Sequence, residues 1–215
     1  MQNLLEAKNL AHAYDYPLFD DVSLSIAPGQ SIAVVGVSGS GKSTLLHILS
    51  TLLAPQKGSV QILGKDIYAI KEKERLAIRR HDVGIVFQSH YLFKGFSAEE
   101  NIEVAALLAA QSIDERLLEA FGIAHVMQKR VTELSGGEQQ RVSIARVMTK
   151  KPRLIFADEP TGNLDRATAY EVMDVVFSYL ESEDAGLFLV THDIELAKRC
   201  DAVYELRQRR LMQIS

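Results

Sequence analysis

The sequence predicts an α/β fold, chiefly because short apolar runs alternate with helical patterns. Residues 31–35, 83–87 and 186–190 are rich in β-branched and other apolar side chains and have the length of buried strands. Helical patterns separate them, and this alternation is typical of an open sheet covered by helices. The 215 residues and the hydrophobic content of 47% suit one such domain, with or without a subdomain.

The first third of the chain combines short strands with two helices. The turn before strand 31–35 is marked by Pro28-Gly29, and leucines at helical spacing follow from residue 45. The predicted elements are strands at 4–10, 22–26 and 31–35, a helix at 43–53, a strand at 59–63 and an exposed charged helix at 71–80.

Residues 97–150 are predicted to be mostly helical, and no Gly/Pro-rich linker separates them from their surroundings. We therefore interpret them as a helical insertion within one domain spanning 4–215. Between residue 97 and the end, the sequence predicts helices at 98–110, 114–121, 137–148 and 166–180, and strands at 154–157, 186–190 and 203–206. Arg207, Arg209 and Arg210 then form a small basic cluster that we expect to be a solvated tail.

The segment after strand 31–35 matches the phosphate-loop pattern G-x-x-x-x-G-K-[ST] at every fixed position. Its glycines allow a tight turn that aims backbone N–H groups at phosphate oxygens, and the helix that follows adds its positive N-terminus. Lys42 is expected to reach the outer phosphates and Ser43 to ligate Mg²⁺. A chance Gly/Ser turn is the alternative, but strand, loop and helix all lie in register. The residues of this predicted nucleoside-triphosphate site are Gly36, Val37, Ser38, Gly39, Ser40, Gly41, Lys42, Ser43 and Thr44.

Polar residues follow three of the predicted strands, at the sheet edge where open α/β folds bind ligands. Asp158 is placed to hold the water shell of Mg²⁺, and Glu159 to orient and deprotonate an attacking water. Gln88 could alternate between a metal and water, and His192 could contact the γ-phosphate. The alternative is that ordinary polar residues end these strands, and as isolated features Gln88 and His192 are weak signals.

Two further segments allow either a structural or a binding interpretation. The run Ser135-Gly136-Gly137 before a helix is a second loop of backbone donors, but Ser135 with Glu138 also fits a helix capping box. Tyr14 and Tyr16 lie in a loop, where one could stack on a nucleotide base or simply pack on the surface. Both interpretations stay open for each segment.

Composition excludes several classes of function. The net charge of −4 and a pI near 5.9 argue against a nucleic-acid partner. The single cysteine, Cys200, is expected to be a small packed hydrophobe, since it cannot form an intrachain disulfide. The N-terminus does not fit a signal peptide, and apolar runs fall short of about 18 residues, so we do not expect the chain to cross a membrane.

Together these motifs resemble the ATP-binding cassette ATPases. The resemblance combines the phosphate loop, Gln88, the signature sequence LSGGEQQR at 134–141, the strand ending in Asp158-Glu159, Asn163-Leu164-Asp165 and His192, in the family's order. It implies a phosphate-loop NTPase core, an antiparallel β subdomain and a helical subdomain carrying the signature. It also implies a head-to-tail dimer with ATP between two copies, in which Ser135 and Gly137 of one complete the phosphate loop of the other. Tyr14 then becomes the expected base-stacking residue, with Tyr16 as the alternative.

A finer resemblance is to the branch serving lipoprotein release and macrolide export, with the cell-division ATPase close by. It rests on GVSGSGKSTLLHIL, the stretch from Gln88 to Asn101 and ADEPTGNLD; residues 50–56 depart from it, because a Gly-Gly-Leu-Asp-like turn is expected there. We expect a cytoplasmic Mg-ATPase, held on the inner face of the membrane by a transmembrane permease. The alternatives are a non-transport cassette protein, disfavoured by the single cassette without a long insertion, and a phosphate-loop kinase.

An apolar stretch after Gln88 predicts a partner surface. Tyr91, Leu92, Phe93 and Phe96 are unusually apolar for a loop that also holds Lys94-Gly95. We expect part of this stretch to remain exposed and to receive a short helix of the membrane partner. The alternative is that these aromatic residues are core residues at the joint of the helical segment.

Overall fold

A computed structural model describes residues 2–215 and contains two sheets. The main sheet has six strands in the order β10-β9-β3-β8-β7-β6, and β6, β7, β8, β3 and β9 run parallel. Its bounds are β3 Ser31–Val35, β6 Val83–Val86, β7 Leu154–Asp158, β8 Gly186–Val190, β9 Ala202–Arg207 and β10 Arg210–Gln213. The predicted α/β class is confirmed.

The second sheet is antiparallel, as the family resemblance implied. Its order is β2-β1-β4-β5, with β1 Leu5–Ala13, β2 Pro17–Ile26, β4 Lys57–Ile62 and β5 Lys65–Asp66. Residues 4 to 10 and 22 to 26 were predicted as strands, and both strands extend toward the turn that holds Tyr14 and Tyr16. This longer hairpin reaches the phosphate loop, because Leu18 and Phe19 pack against Gly41.

Six of the seven α-helices in the described residues follow the predicted order, and the short last one was not predicted. The seven are α1 Lys42–Leu49, α2 Glu72–His81, α3 Ala98–Ala109, α4 Glu115–Ala120, α5 Gly136–Met148, α6 Arg166–Glu183 and α7 Ile194–Ala197. Buried residues of α3, α4 and α5 share one hydrophobic cluster with β3, β7 and β8 of the main sheet. The helical segment therefore packs directly on the sheet core. No described helix is both long and apolar enough to cross a bilayer.

Two local predictions were wrong. Helix α1 ends at Leu49 instead of residue 53, because Thr51 adopts φ of 74° and the N–H groups of Leu52 and Leu53 both turn back to the His47 carbonyl. The C-terminal arginines do not form a tail: they lie at a β9–β10 hairpin, with their side chains exposed. Gln208 and Arg209 have φ of 49° and 66° at its turn, where glycine or asparagine is the usual signal.

Candidate nucleotide site

One cavity of about 480 Å³ joins the phosphate loop to the carboxyl ends of β7 and β8. This volume lies within the range of small-molecule sites. The described residues that line it are Tyr14, Tyr16, Leu18, Gly36, Ser38, Gly39, Gly41, Lys42, Ser43, Thr44, Gln88, Asp158, Glu159, Val190 and His192. Of the predicted site residues that the structure describes, Val37, Ser40, Ser135 and Gly137 do not line it.

The phosphate loop has the backbone that its glycines predict. Gly36 and Gly41 have φ of 142° and 100°, and a Cβ at Gly36 would approach the Leu206 carbonyl oxygen to 2.9 Å. Gly41 is the N-cap of α1 and has no side chain to occupy the first N–H groups of the helix. The Lys42 Nζ lies over the loop and donates to the Gly36 and Val37 carbonyls at 2.8 and 2.9 Å. The result is a cluster of donors suited to a polyphosphate.

Glu159 and His192 meet where β7 and β8 end. Glu159 Oε2 lies 2.8 Å from His192 Nδ1 and 3.4 Å from the His192 backbone nitrogen. The Glu159 side chain is 16% exposed, whereas that of His192 is 77% exposed. Glu159 has φ of 48°, a left-handed conformation that costs a side-chain-bearing residue about 1 kcal/mol or more. Its backbone N–H bonds to Val190, so the register of two strands sets this carboxylate beside the phosphate loop.

Three side chains that carry oxygen atoms line the same cavity. Ser43 contributes a hydroxyl from the first turn of α1, Asp158 a carboxylate from the end of β7, and Gln88 an amide two residues beyond β6. Hydroxyl, carboxylate and amide oxygens are the donors that Mg²⁺ takes from proteins. The set predicted from the sequence therefore fits this ion.

Tyr14 and Tyr16 stand at the outer rim of the cavity. They are 61% and 60% exposed, and the Tyr14 N–H donates to the Tyr16 carbonyl at 3.1 Å. The His12 ring packs on Tyr14 edge to face, with ring centroids 5.0 Å apart. Both tyrosines remain candidates for stacking on a base.

The signature segment lies apart from this cavity and forms the predicted helix cap. Ser135 is the N-cap of α5: its Oγ accepts from the Glu138 N–H at 3.2 Å, and its own N–H donates to Glu138 Oε2 at 2.7 Å. Bonds from the Ser135 side chain and backbone hold the pKa of Glu138 below its ordinary value. The capping-box interpretation is confirmed, and the exposed Ser135 remains free to contact another molecule.

Sequence reasoning missed two cavity-lining residues, Leu18 and Val190. Val190 was predicted in a buried strand, but the pattern did not indicate that the strand end faces a site. Leu18 carried no local signal at all, because its contact with the phosphate loop depends on how the β1–β2 hairpin packs.

The profile of the ABC transporter family matches residues 19–162, about two thirds of the chain. The chain belongs to the ABC transporter family. A curated relative, the lipoprotein-releasing system ATP-binding protein LolD of Xanthomonas campestris pv. campestris (strain 8004), is 41% identical to this family member over 93% of the chain and 86% of the relative. LolD of Pseudomonas fluorescens (strain Pf-5) is 39% identical over 98% of both chains.

Solved structures agree with the family assignment of this ABC subunit. A dimeric structure of the ATP-binding cassette MJ0796, bound to ADP and Pi in a post-hydrolysis state, superposes with a TM-score of 0.87 and 31% identity over 96% of both chains. CbiO1 from Clostridium perfringens, part of an ABC transporter complex, superposes with a TM-score of 0.83 and 26% identity over 99% of this chain and 88% of that one. The resemblance to ATP-binding cassette ATPases is thereby confirmed.

Proposed function

We propose that the chain is the Mg-dependent ATPase subunit that powers lipoprotein release by a separate transmembrane permease. The observation that best supports ATP hydrolysis is the Glu159–His192 pair, whose atoms lie 2.8 Å apart in the same cavity as the phosphate loop. The curated relatives of nearly full length supply the lipoprotein assignment, since they are lipoprotein-releasing system subunits. The subunit then works in the cytoplasm, on the inner face of the membrane.

Nucleotide binding follows from the donors around the cavity. The N–H groups of the loop from Gly36 to Thr44 receive the phosphates, and Lys42 exchanges its two carbonyl partners for phosphate oxygens. Tyr14, with Tyr16 as the alternative, stacks on the base. Ser43 and Gln88 would hold Mg²⁺ directly and Asp158 through water, and the ion would supply positive charge to offset that of the phosphates.

Glu159 is the general base. It accepts the proton of a water molecule aligned with the outer phosphate, and His192 positions the carboxylate through its Nδ1 contact. The small exposed fraction of the Glu159 side chain limits competition from bulk water. Lys42 balances negative charge on the phosphate as the water attacks.

A second copy completes the site. Ser135 and Gly137 do not line the cavity of their own chain, yet Ser135 is exposed at a helix start. We propose that two copies associate head to tail, so that this helix start faces the phosphate loop of the other copy across the nucleotide. The dimeric ABC transporter cassettes that match 96% of this chain support such an assembly.

Replacing Glu159 with Gln tests the proposed chemistry. The variant is expected to bind ATP but to hydrolyse it about 10²- to 10⁴-fold more slowly, the contribution of a positioned general base. Because the closed state then persists, ATP shifts the variant to the dimer position on a sizing column. Glu181→Gln, on the exposed face of α6, is the matched control and retains normal turnover. Full activity in Glu159→Gln would refute the assignment.

The surface that we propose for the partner is a groove of about 410 Å³ between α2, α3 and α5. Phe93 and Phe96 are 51% and 41% exposed, so the core-packing alternative is wrong for them. The buried Asn101 side chain holds the turn that presents them: Oδ1 accepts from the Phe93 N–H at 2.7 Å, and Nδ2 donates to the Ser97 carbonyl at 2.8 Å. The groove is lined by Leu76, Arg79, Arg80, Phe93, Val104, Ala105, Leu108, Arg146 and Lys150, so apolar and basic side chains share its surface.

We propose that this groove receives a short permease helix with acidic flanks. Phe93→Ser with Phe96→Ser is expected to leave ATPase activity and the melting temperature near normal while abolishing co-purification with the permease. Ile214→Ser is the control, since it changes another exposed apolar residue, one that does not line the groove. Retained co-purification in the double variant would place the coupling surface elsewhere.

A further inference from the structure

The His90 imidazole lies where three functional segments meet. His90 follows Gln88 by two residues, and its ring lies between helix α5, which the signature begins, and the turn over 161–165 that follows Glu159. No motif identified in the sequence includes this histidine as a functional residue. Its contacts therefore require an explanation of their own.

Each ring nitrogen of His90 has a defined partner. Nδ1 lies 3.3 Å from Gln139 Oε1, and the Gln139 amide orientation is set because its Nε2 donates to the Leu134 carbonyl at 3.0 Å. Nε2 lies 3.2 Å from Asn163 Nδ2, which also faces the Gln88 carbonyl at 3.4 Å. Nδ1 therefore donates to α5, and Nε2 accepts from the turn.

The backbone of the same loop is attached to α5 independently of the ring. Ser143 Oγ and one Arg146 nitrogen donate to the His90 carbonyl at 3.0 and 3.1 Å, and the other Arg146 nitrogen donates to the Tyr91 carbonyl at 2.9 Å. Anchoring the loop to α5 does not require the imidazole. What the ring adds is the shorter of two links from this anchored loop to Asn163, at 3.2 Å against 3.4 Å for the Gln88 carbonyl.

We propose that His90 is a positioning residue that couples three segments: the loop that holds Gln88 and His90, helix α5 and the turn over 161–165. ATP-driven closure then orders these segments as one unit. This inference rests on the proposed function. Segments tied together before closure lose less conformational freedom when they close, so less ATP is needed to assemble the dimer. Without the ring link, Asn163 keeps only its 3.4 Å contact with the Gln88 carbonyl, so the turn is held less tightly to the loop.

The test measures the ATP concentration at half-maximal dimer formation, by sizing with light scattering, in a Glu159→Gln parent. Adding His90→Ala is expected to raise this concentration about 5- to 30-fold, as loss of one or two hydrogen bonds would. His90→Gln is expected to bring the ATP concentration most of the way back to that of the parent, because the glutamine side chain can place an oxygen near the position of Nε2. His90→Asn reaches only the Nδ1 position and is expected to resemble His90→Ala.

Asn163→Ala closes a double-mutant cycle with His90→Ala, and the double variant is expected to be no worse than the poorer single variant. The control His81→Ala, an exposed histidine at the end of α2, leaves the midpoint unchanged. Additive losses, or a lowered melting temperature with an unmoved midpoint, would overturn the inference. If His90→Ala does not fold, equal midpoints for His90→Gln and His90→Asn would overturn it. A parent that never dimerises with ATP would overturn the proposed function as well.

Discussion

The phosphate loop and the signature loop both place glycines at the start of a helix, but only the second helix has its N-terminus capped by side chains. At α1 the N-cap is Gly41 and the first turn, Lys42-Ser43-Thr44, carries no acidic residue. At α5 the N-cap Ser135 and Glu138 satisfy each other's backbone N–H groups. The first helix leaves its donors for an anion, whereas the second occupies part of them within the chain.

The surroundings of the two loops differ in the same way, since one loop lines a cavity and the other lies on the surface. The phosphate loop faces Asp158, Glu159 and His192 within its own chain. The signature loop is capped and exposed, and in the proposed dimer it contacts a site that another copy supplies. Local sequence chemistry is similar in the two loops, but each has a different role in the proposed dimer.

Mixing two damaged subunits is the most severe test of this division. A chain with Ser135→Asp and a chain with Lys42→Ala are each expected to have strongly lowered ATPase activity. Their heterodimer combines one intact phosphate loop with one intact signature, so the mixture is expected to regain ATPase activity. Activity is measured across mixing ratios, and each variant alone serves as the control. If no ratio restores activity, the site is built within one chain.

Lys42→Ala tests the role of the phosphate loop in ATP binding. Loss of the Nζ donor is expected to weaken ATP binding about 10- to 100-fold, the range for hydrogen bonds to charged groups. Titration with a fluorescent ATP analogue measures this change, and the melting temperature is expected to move little. Lys8→Ala, an exposed lysine paired with Glu6, serves as the control. Unchanged affinity in Lys42→Ala would contradict the proposed role.

At the signature loop, Ser135→Asp separates helix capping from phosphate contact. Asp is as good an N-cap as Ser, so stability is expected to stay within about 0.5 kcal/mol, whereas a carboxylate facing phosphate is expected to lower ATPase activity about tenfold or more. Ser97 forms the same capping box at α3, so Ser97→Asp is the matched control for both readouts. Equal activity in the two variants would leave Ser135 as a cap alone.

The smallest predicted effect concerns Lys150, which, like Lys42, donates to two carbonyls, those of Arg79 and Val83, both at 2.8 Å. Burial, then the nearby Arg146, lowers the pKa of Lys150 to about 8, despite the opposing effect of Asp82. The unfolded lysine has a pKa above about 10, so between these values the unfolded chain binds more protons. The lysine therefore adds stability as pH rises from about 8 to 10, by at most about 1.4 kcal/mol per unit.

Comparing urea midpoints of wild type and Lys150→Met across this range isolates the contribution of the lysine. The comparison with the variant is needed because Cys200 also titrates differently in the folded chain. Burial raises the pKa of its thiol to about 12, so its contribution to the free energy of unfolding is lost as pH rises past about 8.5. Wild type is expected to gain more stability, or lose less, with rising pH than Lys150→Met. Parallel pH profiles would show that Lys150 titrates normally.

Short-range patterns predicted much of the molecule. The phosphate loop, strand β8 and the α5 capping box could each be identified from a few adjacent residues, because glycine, β-branched and capping side chains act on their immediate backbone. The end of α1 could not: Thr51 takes a left-handed conformation that Arg79 holds through the Thr51 hydroxyl and carbonyl. Residues 50–56, which depart from the related branch, are thus held in their turn by tertiary contacts.

The sequence alone determined which groups are available: the glycine loop with Lys42, the carboxylates at 158 and 159, and the capped signature helix. The tertiary structure decided which of them meet. The register of β7 against β8 sets Glu159 beside His192, and the β1–β2 hairpin places Leu18 on the phosphate loop. His90 joins residues 49 and 73 positions away, Gln139 and Asn163. Such contacts depend on long-range packing, which local propensity does not specify.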